Sequence, residues 1–414
     1  MKKRKRTFRY MLGGVLFAAA LAALVFLHFG GFGTGKSADP AEFARYAQPV
    51  REVTVPEETR IIALGEATHG NAEFQQLKLE LFRKMVEEEG VRAFALEGDF
   101  GGCEQANRYI HGGDGTAREA AAAIGFAIYR TEETAALLDY MRQYNQSAPA
   151  GEDLRLYGFD MQRSGYSLRF LGEACQELGV GAREMEQLRR FLEENADQDL
   201  TGAAEVLRLL KALLEGAPGA DRAVHFAEML LQYCALRSLP EEEMGDARDK
   251  WMAENVQWAL EQEELRGQRR LFLSGHNGHV AKWGSFDSMG KLLSNQMGSG
   301  YYAIGTDFYK TRCNLPAGDG GRTEQTFYSH SPLAKAAKGA GQSICWLDLA
   351  SLPQGSELKE LAGQYQYMGN LGEGYSFFMR LLPQSYRIFQ PPAVLYDSMI
   401  FVTEATPTRI LPAP

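Results

Sequence analysis

Five residues of this chain have the types and spacing to do chemistry. Glu66 and His69 lie in Gly65-Glu66-Ala67-Thr68-His69-Gly70, and His276 and His279 lie in Gly275-His276-Asn277-Gly278-His279, while Glu97 closes an apolar run. The chain has seven histidines in all, so three of them within two short glycine-bounded stretches is a concentration. An imidazole held by a carboxylate can take a proton from water while that water attacks an ester carbonyl. Neighbouring histidines can then donate to the oxyanion or protonate the leaving alcohol. A second chemistry uses the same side chains: His69, His276, His279 and Glu97 can ligate a divalent metal that lowers the pKa of bound water. Glu-x-x-His and His-x-x-His suit either role, so the spacing does not choose between them. A serine or cysteine nucleophile is not expected, because no Gly-x-Ser-x-Gly elbow occurs and no cysteine lies in these stretches.

Particular elements must carry these residues. Ile61 to Leu64 is a short, β-branched apolar run bounded by glycine, the pattern of a strand buried on both faces. Asn71 can cap a helix running to Glu89, with Phe74, Leu77, Leu81, Phe82, Met85 and Val86 at spacings of three and four. A second strand, Arg92 to Leu96, ends at Glu97, and the helical crossover makes the first two strands parallel. Leu154 to Gly158 is a third, ending in Asp160, and Arg270 to Ser274 delivers His276 and His279. Apolar runs at Tyr302 to Gly305, Ser343 to Leu349 and Ser398 to Thr403 add further strands. The alternation predicts an α/β fold with a largely parallel, doubly wound sheet flanked by helices. Ligands bind beyond the carboxyl ends of such strands, so the five residues are expected at one rim. Residues 161–265 show long helical periodicities and no strand pattern, and are expected to form a helical insertion or lid.

Composition sets the class. With 414 residues, 45% hydrophobic and 23% charged, the chain is globular. The net charge is −9, but six basic residues precede Met11. Without them 38 basic groups face 53 acidic ones, a net of −15 that repels phosphate backbones and excludes nucleic acid as a partner. The five cysteines are scattered without a Cys-x-x-Cys pair, neither a disulfide framework nor a zinc site. Residues 1–40 are expected to be a targeting element: a basic cluster, an uncharged run from about Met11 to Phe29 read as a transmembrane helix, and a glycine-rich linker. The expected location is then the cell membrane, with residues 41–414 outside the cytoplasm, or secretion if the segment is cleaved. Gly30 to Ser37 formally matches Gly-x-x-x-x-Gly-Lys-Ser, but no strand precedes it and Asp39-Pro40 follows, so ATP is not expected to bind.

The quoted motifs, together with Glu73-Phe74 and Lys78, Tyr157-Gly158-Phe159-Asp160, Arg248-Asp249, Met252-Ala253-Glu254-Asn255 and Tyr396-Asp397 to Thr406-Pro407, resemble the erythromycin esterase family in its order from about Thr59 to Arg409. The resemblance implies an α/β core with a helical cap and hydrolysis of a small-molecule ester or lactone, for some members a macrolide ring. It implies His69 as general base, Glu66 as its partner, Glu97 as a second acid, and His276 and His279 as completing the site, without a cofactor. Lys78, Asp160 and Asn277 are implied as substrate-binding. The macrolide esterases carry arginine where this chain has Lys78, and lysine keeps the charge but loses the planar fork. Some family members are tied to exopolysaccharide biosynthesis, so a non-catalytic or metal-binding module of the cell envelope is the alternative.

Overall fold

A computed structural model of the chain describes residues 13–23, 37–192, 198–284, 286–317, 321–380 and 382–412. The chain forms two compact units. One comprises Met1–Val53, Glu66–Phe74 and Gly305–Thr408, and the other Thr54–Gly65, Gln75–Ile304 and Arg409–Pro414.

The larger unit is built on strands β1 (Ile61–Glu66, leaving this unit at Gly65), β2 (Ala93–Asp99), β3 (Arg155–Asp160), β4 (Leu271–His276) and the start of β5 (Tyr301–Pro316). Their order is β3-β2-β4-β1-β5, and β2 pairs in parallel with both β3 and β4, as β1 does with β5. Every residue of β1, β2 and β4 is buried, which is why each begins as an unbroken apolar run. Phe94 and Phe272 face each other in register, 5.2 Å between ring centroids, and Phe82 from the helix Ala72–Glu88 closes the cluster at 5.0 and 5.8 Å. Each such aromatic pair adds about 0.5–1.5 kcal/mol beyond the area it buries, and together they seat that helix on the sheet. Between β3 and β4 the described residues are helical, in Gly165–Leu178, Ala182–Phe191, Leu200–Glu215, Asp221–Ser238 and Glu241–Leu265.

The other unit continues β5 from Gly305, with strand order β5, then β10 (Ser398–Ala405), then β7 (Ile344–Asp348). Its described pairings β5 with β6 (Arg322–Tyr328), β7 with β10, and β8 (Gln366–Gly369) with β9 (Arg387–Gln390) are antiparallel. The parallel reading therefore holds for the larger unit but not here. The continuation of β5 carries no apolar run: from Lys310 to Pro316 burial alternates, as in a strand with one wetter face.

One expectation is overturned. Among the described residues no helix is long and apolar enough to cross a membrane. Of the run from Met11 to Phe29, residues 13–23 are described as helix, and that length rises about 16 Å against the ~30 Å of a bilayer core. The basic cluster before Met11, the rest of that run and Gly30 to Lys36 of the formal phosphate-loop pattern lie outside the described residues. All five cysteines are buried thiols without a disulfide.

Candidate functional site

β1 ends on Glu66, and a turn over Ala67 to Gly70 leads into the helix Ala72–Glu88. The Glu66 Oε1 atom lies 2.8 Å from His69 Nδ1, and both residues are buried. When Nδ1–H donates to the carboxylate, the neutral ring carries its lone pair on Nε2, the tautomer a general base requires. The turn is heavily constrained. Ala67 N donates to Thr306 Oγ1 at 2.8 Å, Leu371 N donates to the Ala67 carbonyl at 2.7 Å, and Asn314 N and Thr408 N both donate to the Gly70 carbonyl at 3.0 Å. A Cβ at position 70 would stand 2.4 Å from the Asn314 carbonyl oxygen, so glycine is what lets β5 approach so closely. Asn71, expected as a helix cap, instead commits its side chain across strands. Its Nδ2 donates to the carbonyls of Arg312 and Thr406, and its Oδ1 accepts from Thr311 Oγ1.

A second group assembles in the larger unit. Glu97, two residues before the end of β2, and Asp160, the end of β3, are both buried, and Arg248, from the helix Glu241–Leu265, reaches both. Its Nη2 donates to Glu97 Oε1 at 2.9 Å and to Asp160 Oδ2 at 2.7 Å. Glu97 Oε2 accepts from His276 N at 2.7 Å. His276 ends β4 and caps the short helix Asn277–Val280, its Nδ1 accepting from Gly278 N at 3.3 Å, so its ring proton belongs on Nε2. His279 Nδ1 lies 2.8 Å from Asp249 Oδ1, which also accepts from Met289 N at 2.8 Å. His279 Nε2 lies 3.1 Å from Arg248 Nη1 and 3.4 Å from Glu97 Oε1. A neutral His279 accepts from the guanidinium there, whereas a protonated one donates to Glu97.

Electrostatics shifts His279 toward its protonated form relative to a free imidazole. Burial alone pushes the His279 pKa down, but Glu97 and then Asp249 outweigh burial and Arg248 together, so the net shift is upward. A folded pKa above the unfolded value of 6.5 means that the stabilisation is fully present below about pH 6.5 and is lost as pH rises through the folded value. His279→Gln is therefore expected to cost most below about pH 6.5 and progressively less above it. Thermal unfolding of both proteins between about pH 5 and 9 measures this, and a cost that grows with pH would contradict the assignment.

The structure thus brings Glu66 to His69 in one unit, and Glu97, Asp160, His276 and His279 together in the other. Arg248 and Asp249 were visible in the sequence only as one motif among several, with no role attached. The usable signal was a buried cation demand: strands that carry Glu97 and Asp160 at or near their ends need a positive partner. Asp160 is wholly buried, and besides Arg248 its carboxylate accepts from Met161 N and Gln162 Nε2, each at 2.7 Å. Lys78 is buried in the helix Ala72–Glu88, donating to Gln75 Oε1 at 2.9 Å with its ammonium 4.9 Å from the centroid of the Tyr129 ring. Asn277 is buried against β1, and a Cβ on Gly65 would fall 2.2 Å from its Oδ1. Among the described residues no three His, Cys, Asp or Glu are arranged to hold a metal ion. Glu97 and His279 face a guanidinium where a metal would need open donors, so the residues present do not fit a metal.

A mixed α/β scaffold carrying a histidine oriented by a buried carboxylate is an arrangement suited to a hydrolase. A family model for erythromycin esterase matches residues 86–405, and the chain belongs to that family. The match takes in Glu97, Asp160, Arg248, His276 and His279 and begins after His69. Erythromycin esterase type II of Escherichia coli is 27% identical over 308 residues, 63% of this chain and 71% of that protein. The structure of a succinoglycan biosynthesis protein is similar with a TM-score of 0.76 at 18% identity, covering 91% of this chain and 100% of that one. The erythromycin esterase EreC, in an open conformation, gives a TM-score of 0.59 at 17% identity, over 84% of this chain and 91% of its own. At those identities the two structures share the fold.

Proposed function

We propose that this chain hydrolyses a carboxylic ester or lactone of a small molecule, with His69 as general base on water and Glu66 holding its tautomer. The observation that carries the reading is the buried 2.8 Å contact between Glu66 Oε1 and His69 Nδ1, and family membership supports a hydrolase. Nε2 of His69 takes a proton from water, and the water oxygen bonds to the carbonyl carbon. The tetrahedral intermediate then expels the alkoxide, which takes up a proton. The activity is also proposed to need Glu97, His276 and His279, which lie within the family match. The Escherichia coli relative is by name an erythromycin esterase, so a macrolide lactone is one substrate to try.

The test is turnover by the purified chain. It is expected to hydrolyse at least one member of a panel of aryl acetates, aliphatic esters and macrolide lactones, with products followed by absorbance and by the mass gain of one water. A chain that folds and hydrolyses none of them would overturn the reading.

A further inference from the structure

Asp307 is wholly buried on β5 and has no part in the chemistry above. Its Oδ1 accepts from Phe308 N at 2.8 Å and from Gly369 N at 3.0 Å, while its Oδ2 accepts from Ser329 Oγ at 3.0 Å. The Gly369 N–H is shared, since Ser329 Oγ also lies 3.0 Å from it. One carboxylate therefore gathers three segments: β5, the residue just past β6, and the last residue of β8. Position 369 tolerates this only as glycine, because a Cβ there would come 2.4 Å from the Phe308 ring and 2.9 Å from Asp307 Oδ1.

What the carboxylate gathers is delivered to the catalytic turn. Two residues beyond Gly369, Leu371 donates its N–H to the Ala67 carbonyl at 2.7 Å and forms a parallel bridge with Thr68. From the other side Thr306, the residue before Asp307, accepts from Ala67 N at 2.8 Å. Both backbone groups of Ala67 are thus held from the Thr306-Asp307 dipeptide, the N–H directly and the carbonyl by way of Gly369 and Leu371. Ala67 lies between Glu66 and His69, whose contact exists only if the turn keeps its path.

We propose that Asp307 is a positioning residue for catalysis, fixing through Gly369 and Leu371 the turn that presents His69 to Glu66. The proposal rests on the reading of His69 as general base. A loss of alignment of about 1 Å in a base is enough to lower rates by up to about 100-fold without weakening substrate binding. Asp307→Asn keeps an acceptor for Gly369 and can donate its amide to Ser329, so it preserves the clamp, whereas Asp307→Ala removes it.

The experiment uses the full chain and an aryl ester that the parent turns over. Asp307→Ala is expected to lower kcat by about 30-fold with KM within about 2-fold, and Asp307→Asn to stay within about 3-fold of the parent. Thr306→Val, which deletes the acceptor for Ala67 N, is expected to lower kcat by about 10-fold, and it decides the matter if Asp307→Ala does not fold. An unchanged kcat in both Asp307→Ala and Thr306→Val would overturn the proposal, as would equal losses in the Ala and Asn variants through KM. His69→Ala is measured alongside. If it keeps full activity the general-base reading has failed. If it is inactive while Asp307→Ala is not, only the positioning role has failed.

Discussion

His69→Ala is expected to lower kcat/KM for a hydrolysed ester by about 1,000-fold, with the thermal midpoint within about 3 °C of the parent. A positioned general base contributes roughly 10²–10⁴ to rate, and alanine leaves no other group in its place to take the proton from water. The fold is spared because the turn is held by backbone groups of Ala67 and Gly70, and none of those bonds uses the imidazole. Glu66→Gln separates the two functions of the pair. A glutamine oxygen still accepts from Nδ1–H and keeps the ring oriented, but the negative charge that stabilises the imidazolium formed in the reaction is gone. That variant is expected to lose about 10–100-fold, nearly all of it in kcat. Steady-state kinetics on the three proteins reads both effects, and undiminished turnover in His69→Ala would remove this histidine from the mechanism.

Much of this scaffold is legible in the sequence because burial on both faces leaves a simple mark. Ile61 to Leu64, Ala93 to Leu96 and Leu271 to Leu273 are apolar runs that no exposed segment would carry, and each leads into the polar residues that matter. The strands run further than the apolar pattern, however. Glu66, Glu97, Asp160 and His276 are strand residues, because the ladder continues for as long as backbone partners exist, whatever the side chains are. The partners of those side chains were harder to foresee. Arg248 and Asp249 sit in a helix of mixed charge, where a basic and an acidic residue side by side look like any solvated face until the tertiary fold brings Glu97, Asp160 and His279 to them. Asn71 shows the same limit from the other direction. Its local context says helix cap, and long-range bonds to Arg312 and Thr406 claim the side chain instead. The membrane reading is overturned because, among the described residues, no helix is long and apolar enough to cross a bilayer.

The largest expected change in stability comes from Arg248. Its guanidinium is the shared partner of two buried carboxylates, with a single nitrogen 2.9 Å from Glu97 and 2.7 Å from Asp160. Burial alone would weaken its hold on the proton, but Asp160 and Glu97 outweigh that and raise its pKa, so it stays charged. Arg248→Ala leaves both carboxylates buried without that cation, and breaking a buried pair by removing one partner costs about 3–5 kcal/mol. Arg248→Lys retains the charge, but a single ammonium cannot reproduce a fork that touches Glu97, Asp160 and His279, so an intermediate loss is expected. The pH dependence distinguishes this from a simple packing defect. Carboxylates stripped of their cation hold protons more tightly in the folded state than in the unfolded one, so the cost should shrink as pH falls from about 8 to about 5. Denaturant unfolding at the two pH values measures it. A cost that is the same at both would mean that Arg248 acts through packing, and no cost at either would mean that Glu97 and Asp160 are not held by it.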